Sequence, residues 1–335
     1  MNQDHSTRAH ALIGGSKVKQ AKLCRGSIML QEQFLDSESS PAALRGTAIH
    51  EIAEAMLDGR ETNVGDEEMI RVAKGYVAAI KFHTPNAKKL LVEHSVADVL
   101  AELHPALGGS IDLVAIGGGE LLICDLKTGR EIVHPEENAQ LLTYALGAAM
   151  SLKAPENVKV RLAIYQPANG GWNEWVTDMR RLKQWKNELL EIAITATEPN
   201  APLTPSSDAC KWCRAKAACP AIKEKVLQSA RVEFQQITPE LLVEAELAGI
   251  WADSVKDGAK LQLITNPGSI VGWHLKPGRK MVTWKSQALA EKYFKDQRDA
   301  WTLKSVSAVQ KVVFDLPAEL INETSVAASL ARVKE

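Results

Sequence analysis

The residues best suited to chemistry are two acids and a lysine on neighbouring segments that have a strand pattern. In Glu120 to Lys127, Asp125 and Lys127 occupy alternate positions, so their side chains project from the same face of a strand. Asp112 follows a pair of glycines at the start of the preceding segment, and a hairpin would place its carboxylate beside Asp125. The spacing therefore predicts two carboxylates and one amine on a shared surface.

Two carboxylates this close repel each other, and a divalent cation relieves that repulsion. Mg²⁺ prefers a few carboxylate oxygens together with water and phosphate in octahedral geometry. A nearby lysine can hold or help deprotonate the attacking water, while the metal stabilises the charge that develops on the phosphate. This chemistry is phosphodiester hydrolysis. Taken alone, the acid-x-Lys pattern favours a plain ion pair on an edge strand, with Asp112 as a turn residue.

Other polar residues stand in a consistent order around this group. His50 lies on a segment with helical apolar spacing, and Glu93 lies on a segment that alternates like a strand. Gln140 and Tyr144 are four residues apart and share one face of a predicted helix. Each has a plain alternative: a histidine of the core or surface, a solvent-facing acid, and a half-buried tyrosine beside a solvated glutamine. Only the order of the whole set indicates a site.

The ordered set resembles the PD-(D/E)XK nuclease superfamily, specifically its RecB-like branch, over about residues 14 to 220. The pattern of that branch is a histidine on an early helix, a strand aspartate after glycines, an acid-x-Lys strand and a Q-x-x-x-Y helix. The resemblance implies catalytic roles for five residues: Asp112, Asp125, Lys127, Gln140 and Tyr144. It implies that Asp112 and Asp125 bind Mg²⁺ or Mn²⁺ and that His50 adds a ligand. The Gln-Tyr face of the helix would line the site and contact nucleic acid, and Glu93 is a secondary candidate.

The chain contains five cysteines, an odd number without an export signal, which favours metal binding over disulfides. Cys210, Cys213 and Cys219 lie within ten residues, and Cys24 lies far upstream. Zinc is the first alternative, although structural zinc sites usually pair two C-x₂-C knuckles and only one is present. Cys124, between strand residues on the face opposite Asp125, is most simply a small buried apolar residue.

The cysteine spacing resembles that of iron-sulfur nucleases, including the AddB nuclease domain and certain CRISPR-associated exonucleases. In those proteins one cysteine precedes the nuclease core and three follow it. The resemblance implies a [4Fe-4S] cluster held by Cys24, Cys210, Cys213 and Cys219, with zinc as the alternative. Such a cluster would close a chain loop of about 190 residues and hold the N-terminal helices against the core.

The surrounding periodicity predicts the elements that must position these residues. Helical spacing indicates helices over 14–35, 45–57, 67–82, 136–150 and 180–195. Alternation indicates strands over 90–99, 108–116, 120–127, 158–166 and 172–177, the first three forming an antiparallel meander. The prediction is an α/β fold, a restriction-endonuclease-like core in which helices cover both faces of a mixed central sheet.

A boundary is predicted near residue 235, giving a nuclease domain over 1–234 and a mainly helical accessory region over 235–335. From Lys256 to Lys311 basic residues outnumber acidic ones by more than two to one. Aromatic residues are interspersed there: Trp273, Trp284, Tyr293, Phe294 and Trp301. This mixture suits single-stranded DNA, or equally a small core with solvated lysines. Residues 272–280 suggest a strand and turn, and the extension resembles those of phage-encoded relatives.

Composition bounds the remaining choices. The net charge of -1 gives no global attraction to nucleic acid, so a DNA-binding face requires local segregation of charge. No apolar run approaches the roughly 20 residues that cross a bilayer, and the N-terminus lacks a secretory pattern. A cytoplasmic location without membrane contact is expected, in the host cytoplasm for a phage-encoded protein.

Together these observations predict a metal-dependent DNA nuclease. The resemblance is to enzymes that process DNA ends, so an exonuclease acting in phage-type recombination or replication is expected. Its substrate would be DNA with free ends or single strands, beside a single-strand annealing or binding protein. The chain lacks a G-x-x-x-x-G-K-[ST] loop, so unwinding would need a partner. The alternative is a catalytically inactive iron-sulfur or zinc DNA-binding scaffold of the same fold.

Overall fold

The structure, a computed structural model, describes residues 11–34, 40–60, 65–230, 237–278, 280–295, 306, 318–325 and 329–332. The chain divides into two compact units, Met1–Trp251 and Ala252–Glu335. The boundary predicted between 234 and 235 lies outside the described residues.

Helices of the first unit begin where polar side chains can cap their free N–H groups. Ser40, Asp66, Asn138 and Asp178 each accept a hydrogen bond from the first turn of the helix that follows. The helices are α1 (Gly15–Leu23), α2 (Ser27–Gln31), α3 (Pro41–Leu57), α4 (Glu67–His83), α5 (Ala97–Ala101), α6 (Ala139–Ser151), α7 (Met179–Ala196), α8 (Ser207–Cys210) and α9 (Pro220–Ser229). A longer helix, α10 (Pro239–Thr265), contains the point at which the two units divide.

The strands of the first unit are β1 (Ile13–Gly14), β2 (Lys89–Ser95), β3 (Leu107–Gly108), β4 (Ser110–Gly117), β5 (Glu120–Leu126), β6 (Lys159–Gln166) and β7 (Gly171–Asp178). In the described part of the unit, five of them form a sheet in the order β2-β4-β5-β6-β7. β5 and β6 are parallel and joined through α6, whereas the other neighbouring strands are antiparallel. The sheet is therefore mixed, and its first three strands form the predicted meander.

The sequence of β5 is almost continuously apolar because both faces of this strand are buried. Leu121 and Ile123 face a cluster that includes residues of α1, α6 and α7, while Leu122 and Cys124 face a second cluster with α3 and α4. Central strands buried on both faces lose the polar half of their alternation. The prediction of a mixed sheet covered by helices on both faces is confirmed, as is the burial of Cys124.

Two of the predicted elements are interrupted or end early. The helix predicted over 14–35 is two helices, because the chain turns at Cys24 and the Gly26 N–H donates to the Pro202 carbonyl at 2.9 Å. The strand predicted over 90–99 ends at Ser95, and α5 follows because Val96 and Leu100 are both buried in the core on helical spacing. Tertiary packing overrides local alternation in both cases.

The C-terminal region, predicted to be mainly helical, contains short strands as well as helices in its described residues. Its described residues include the short strands β8 (Trp273–Lys276), β9 (Lys280–Trp284), β10 (Ile321–Ser325) and β11 (Ser329–Arg332), with α11 (Gln287–Tyr293). β8 pairs with β11, and β9 pairs with β10, both antiparallel. The strand predicted within 272–280 is present, but its partner lies some fifty residues later, beyond the reach of local sequence patterns.

None of the helices in the described part of the chain has both the length and the apolar composition needed to cross a membrane.

Candidate active site

The predicted acids meet where β4 begins and β5 ends. Leu113 pairs with Cys124, so the next positions on the two strands are Asp112 and Asp125. The Leu126 N–H donates to Asp112 Oδ2 at 2.8 Å, which ties the carboxylate of β4 to the backbone of β5. The hairpin thus brings both carboxylates to one edge, as the spacing predicts.

A histidine and a third acid join Asp112 from two other elements. His50 on α3 places Nδ1 at 3.4 Å from Asp112 Oδ2, and Glu93 enters from β2. One ligand atom from each of His50, Glu93 and Asp112 lies within 4.8 Å of the other two. Carboxylate oxygens with one imidazole nitrogen suit a divalent cation such as Mn²⁺. Glu93, a secondary candidate in the sequence, is a full member of this group.

Glu93 has an unusual backbone conformation. Its φ is 48°, and it interrupts the β2–β4 pairing between His94 and Val92. Ser110 Oγ donates to Glu93 Oε2 at 3.2 Å. A residue with a Cβ is strained in the left-handed region, and such positions concentrate at functional sites. The distortion marks the point where the carboxylate enters the group.

Lys127, Asp125 and Gln140 form a closed set of contacts. Lys127 Nζ lies 2.8 Å from Asp125 Oδ2 and donates to Gln140 Oε1 at 3.1 Å. Gln140 Nε2 donates to Asp125 Oδ1 at 2.9 Å and lies 3.5 Å from the Tyr144 hydroxyl. Asn138 caps α6 by accepting from the Gln140 N–H. The glutamine and tyrosine therefore share one face of α6, and that face lines the site.

The pKa values of the two aspartates are shifted in opposite directions. Asp125 is 3% exposed, and burial raises its pKa against the charge of Lys127. Burial also opposes ionisation of Asp112, but the hydrogen bond and charge of His50 hold the Asp112 pKa below its usual value. Asp112 in turn raises the pKa of His50 to about 9, despite the burial of the imidazole. In the metal-free protein, His50 and Lys127 supply the positive charge that a cation would bring.

Tyr144 is positioned by two glycines. A Cβ on Gly109 would lie 2.9 Å from the tyrosine ring, and one on Gly15 would overlap it. Gly109 also has a φ of 150°, which side chains rarely adopt. The sequence indicated a close approach at the glycines before Asp112, and the structure shows that the approaching group is Tyr144. Gly15 was not predicted to take part, because its neighbour in space is far away in sequence.

The four predicted cluster cysteines are all buried and lie at element boundaries. Cys24 is in the turn between α1 and α2, Cys210 ends α8, and Cys219 precedes α9. Burial raises the pKa of the Cys213 thiol to about 11, and the three neighbouring thiols contribute to the shift. The structure therefore brings these thiols within electrostatic range of one another. The Thr204 N–H donates to Cys24 Sγ at 3.3 Å.

The thiols are spaced more widely than a zinc site requires. A tetrahedral ion with bonds of about 2.3 Å to sulfur holds its ligands about 3.8 Å apart. Among the cysteines, all of which are described, no three sulfurs lie within 4.8 Å of one another.

Direct bonds hold the N-terminal helices against the cysteine segment. Gln20 Nε2 donates to the Ala209 carbonyl at 3.3 Å, and the Arg214 N–H donates to Gln31 Oε1 at 3.0 Å. These bonds join residues more than 180 positions apart. The two parts of the chain predicted to share a cluster are thus neighbours.

The sequence profile of a family described as "Protein of unknown function (DUF2800)" matches residues 10–317. The chain belongs to this family. The match includes every candidate residue from Cys24 to Cys219. One solved structure, described as "Crystal structure of SSO0001", is 14% identical, with a TM-score of 0.32 over 64% of this chain and 88% of that one. This likeness identifies no activity.

A buried glutamine of the DUF2800 chain was missed by the sequence reasoning. Gln166, at the end of β6, is wholly buried. Its Nε2 donates to the carbonyls of Gly129 and Glu131 at 2.8 and 2.7 Å, and its Oε1 accepts from the Val133 N–H at 3.1 Å. It holds the loop that follows Lys127. The sequence does place this polar residue at a position of β6 whose alternation predicts burial, directly before a proline.

The aromatic residues of the second unit have mixed roles. Trp284 and Phe294 have ring centroids 5.9 Å apart and belong to a small core. Trp273 and Tyr293 are exposed, and Trp301 lies outside the described residues. The core interpretation fits the first two residues, and the DNA-binding interpretation stays a prediction for the rest.

Proposed function

We propose that this chain is a divalent-metal-dependent deoxyribonuclease with a PD-(D/E)XK active site of the RecB-like branch. The observation that carries the proposal is the meeting of His50, Glu93 and Asp112 beside the bonded set of Asp125, Lys127 and Gln140. These residues come from five elements or the segments that follow them. An isolated ion pair on a strand would not need such convergence.

The donor atoms fit a hard or borderline divalent cation. His50, Asp112 and Glu93 would hold the ion, and Asp125 presents a further carboxylate beside them. Mg²⁺ and Mn²⁺ both accept such oxygen ligands, and the imidazole favours Mn²⁺. Binding the cation requires the loss of the His50 proton, so affinity should rise with pH up to the value at which that proton leaves.

When bound, the cation supplies charge stabilisation at the phosphate and a water of lowered pKa. The chain's own residues supply the rest. Lys127 places an ammonium at the same edge, where it donates to the negative phosphate oxygens as charge develops. Gln140 holds Lys127 and Asp125 in one orientation, and Tyr144 orients Gln140. This preorganisation is effective because the groups are largely shielded from water.

The test is degradation of end-labelled linear DNA with Mg²⁺ or Mn²⁺. Asp125→Ala and Lys127→Ala should each lower the rate by at least about a hundredfold, the scale of losing one charge-stabilising group. Lys159→Ala removes an exposed lysine that pairs with Glu120 and is the matched control, expected to retain full activity. Activity surviving in both site variants would exclude this site. A wild-type protein that binds DNA without cleaving it would be the inactive scaffold.

We propose further that the enzyme acts from DNA ends, as an exonuclease in phage-type recombination or replication beside a single-strand annealing or binding protein. The support is the resemblance to end-processing nucleases. Linear and closed circular DNA, each single- and double-stranded, and nicked double-stranded circles should be compared in one assay. Closed circles should persist while linear DNA disappears, and rapid cutting of circles would identify an endonuclease.

For the cysteines we propose a [4Fe-4S] cluster rather than zinc. The support is the resemblance of the cysteine spacing to that of iron-sulfur nucleases, and the Thr204 N–H bond to Cys24 Sγ is of the kind that tunes such clusters. Anaerobically purified protein should be brown, with broad absorbance at about 400 nm. Cys213→Ser should lose iron, and Cys124→Ser should keep it. A colourless protein with one zinc ion per chain would overturn the assignment.

A further inference from the structure

A solvent-exposed tryptophan lies between two of the predicted cluster cysteines. Trp212, between Cys210 and Cys213, is 74% exposed, the highest value for a tryptophan in the described part of the chain. An indole has the largest apolar surface of any side chain, and leaving it in water forgoes the free energy of its burial. The aromatic face of Trp212 is therefore accessible to a ligand.

The indole lies beside a lysine, and hydrogen bonds tie the turn that carries it. The ammonium of Lys211 lies 5.5 Å from the centroid of the Trp212 ring, and the same ammonium is 2.7 Å from Glu131 Oε2. Lys216 Nζ donates to the Lys211 carbonyl at 2.8 Å, and the Cys213 N–H donates to the Cys210 carbonyl at 3.1 Å. The turn that carries the indole is therefore ordered before any ligand arrives.

The same contacts connect Trp212 to the candidate active site. Glu131 belongs to the loop that follows Lys127, and this loop is fixed by the three hydrogen bonds of buried Gln166. One ion pair thus joins Lys211, the residue before Trp212, to Glu131, four residues after Lys127. The loop that follows Lys127 is therefore in contact with the segment that carries the tryptophan.

We propose that Trp212 is a stacking platform for a base of single-stranded DNA that extends from the active site; this rests on the nuclease function proposed above. An aromatic face accompanied by lysines is the combination that binds single strands without sequence preference. The cation over the ring strengthens this choice, because Lys211 and Lys216 offer charge to the phosphates that flank a stacked base.

The experiment measures binding of a labelled oligo-dT to the full chain in an Asp125→Ala background, so that cleavage does not interfere. Trp212→Ala and Trp212→Leu should each weaken binding about tenfold, the loss expected for one stacked base. Trp212→Phe should stay within about threefold of the parent, since the aromatic face is kept. Phe82→Ala removes an aromatic side chain of similar exposure, 76%, at the end of α4 and should change nothing.

Equal affinities for the Leu, Phe and parent proteins would overturn the proposal and leave Trp212 as a contact for a protein. Equal weakening by Phe and Leu would also overturn it, since shape rather than stacking would then matter. The iron content of each variant is measured alongside. If Trp212→Ala loses the cluster, the affinities of Trp212→Leu and Trp212→Phe are compared at matched iron content instead. The nuclease proposal is judged separately, by cleavage in the Asp125 and Lys127 variants with Trp212 intact.

Discussion

The side-chain amide of Gln140 donates to Asp125 Oδ1 at 2.9 Å, which fastens the first turn of α6 to the end of β5. The other end of the same amide accepts from Lys127 Nζ at 3.1 Å, so one residue orients both an acid and a base. A group held at two points has little freedom to misplace either partner. The position of α6 is thereby coupled to the chemistry of the strand.

Gln140→Ala should lower the nuclease rate by about ten- to a hundredfold, because small misplacements of reacting groups are costly. It should also lower the free energy of unfolding by about 2 kcal/mol, since two hydrogen bonds to charged groups are lost. Cleavage kinetics and denaturant unfolding measure the two effects. Gln228→Ala removes an exposed glutamine whose side-chain amide donates to Glu224 Oε1, and it should be neutral in both. An unchanged rate for Gln140→Ala would remove Gln140 from the site.

The conformation of Glu93 predicts opposite effects on stability and on metal binding. Glu93→Gly should raise the free energy of unfolding of the metal-free protein by about 1 kcal/mol, because glycine tolerates a φ of 48° without strain. The same change should weaken Mn²⁺ binding at least about tenfold, since it deletes a charged ligand. Thermal unfolding and Mn²⁺ titration by calorimetry report the two quantities.

Lys153→Gly is the matched control for Glu93. Lys153 has a φ of 49° at the end of α6, and it is not part of the acidic group. It should gain similar stability with no change in Mn²⁺ affinity. If Glu93→Gly retained full Mn²⁺ affinity, Glu93 would not be a ligand.

Gly15 offers a test of how Tyr144 is placed. Alanine at a helical glycine normally adds about 1 kcal/mol to stability. At Gly15 the new methyl group would overlap the Tyr144 ring, so Gly15→Ala should instead destabilise by about 1–3 kcal/mol. In a Tyr144→Ala background the penalty should vanish, which a double-mutant cycle on unfolding free energies detects. Gly249→Ala, where nothing lies within 4 Å of the added carbon, should show the ordinary gain. Additive effects of the two site changes would refute the contact.

The mixed sheet and its helices could be predicted from the sequence because alternation and helical spacing are local signals. The acids on β4 and β5 and the Gln140–Tyr144 face followed from the same periodicities, once a hairpin was assumed. The left-handed conformation of Glu93 could not be predicted, since it depends on a partner strand and not on its neighbours in sequence. Local signals predict which face a residue occupies but not the backbone distortion that places its atoms.

Non-local contacts account for most of what was missed. The break of the first helix at Cys24 depends on backbone bonds to residues near 202, and the role of Gly15 depends on a ring on α6. The strands of the second unit pair with strands far away in sequence, so no short turn sequence between partners could predict the pairing. Gln166 was missed because a glutamine's hydrogen-bond partners in a loop have no sequence pattern.

A charge cluster on β6 and β7 predicts how stability depends on pH. Arg161 forms a two-pronged pair with Glu174, at 2.8 and 2.7 Å, and also donates to Glu120 and to the His83 carbonyl. Although burial opposes its ionisation, the bonds from Arg161 and Trp172 hold the pKa of Glu174 below the usual glutamate value. A lowered folded-state pKa contributes stability above the unfolded pKa, about 4.3, and loses it as pH falls through the folded value.

Glu174→Gln should therefore lower the free energy of unfolding by about 1–3 kcal/mol at pH 7, because a charged pair around a half-buried arginine is broken. The difference from wild type should begin to shrink as pH falls below about 4.3, and it should vanish only below the lower folded-state pKa, where the wild-type carboxylate is protonated. Urea unfolding at pH 7 and at steps from about pH 5 to about pH 2 follows this convergence. Nuclease activity at pH 7, measured well below the unfolding midpoint, should be unchanged, because the cluster holds β6 to β7 and not the metal ligands. A difference that stayed constant with pH would show that packing of the residue, rather than its charge, stabilises this part of the sheet.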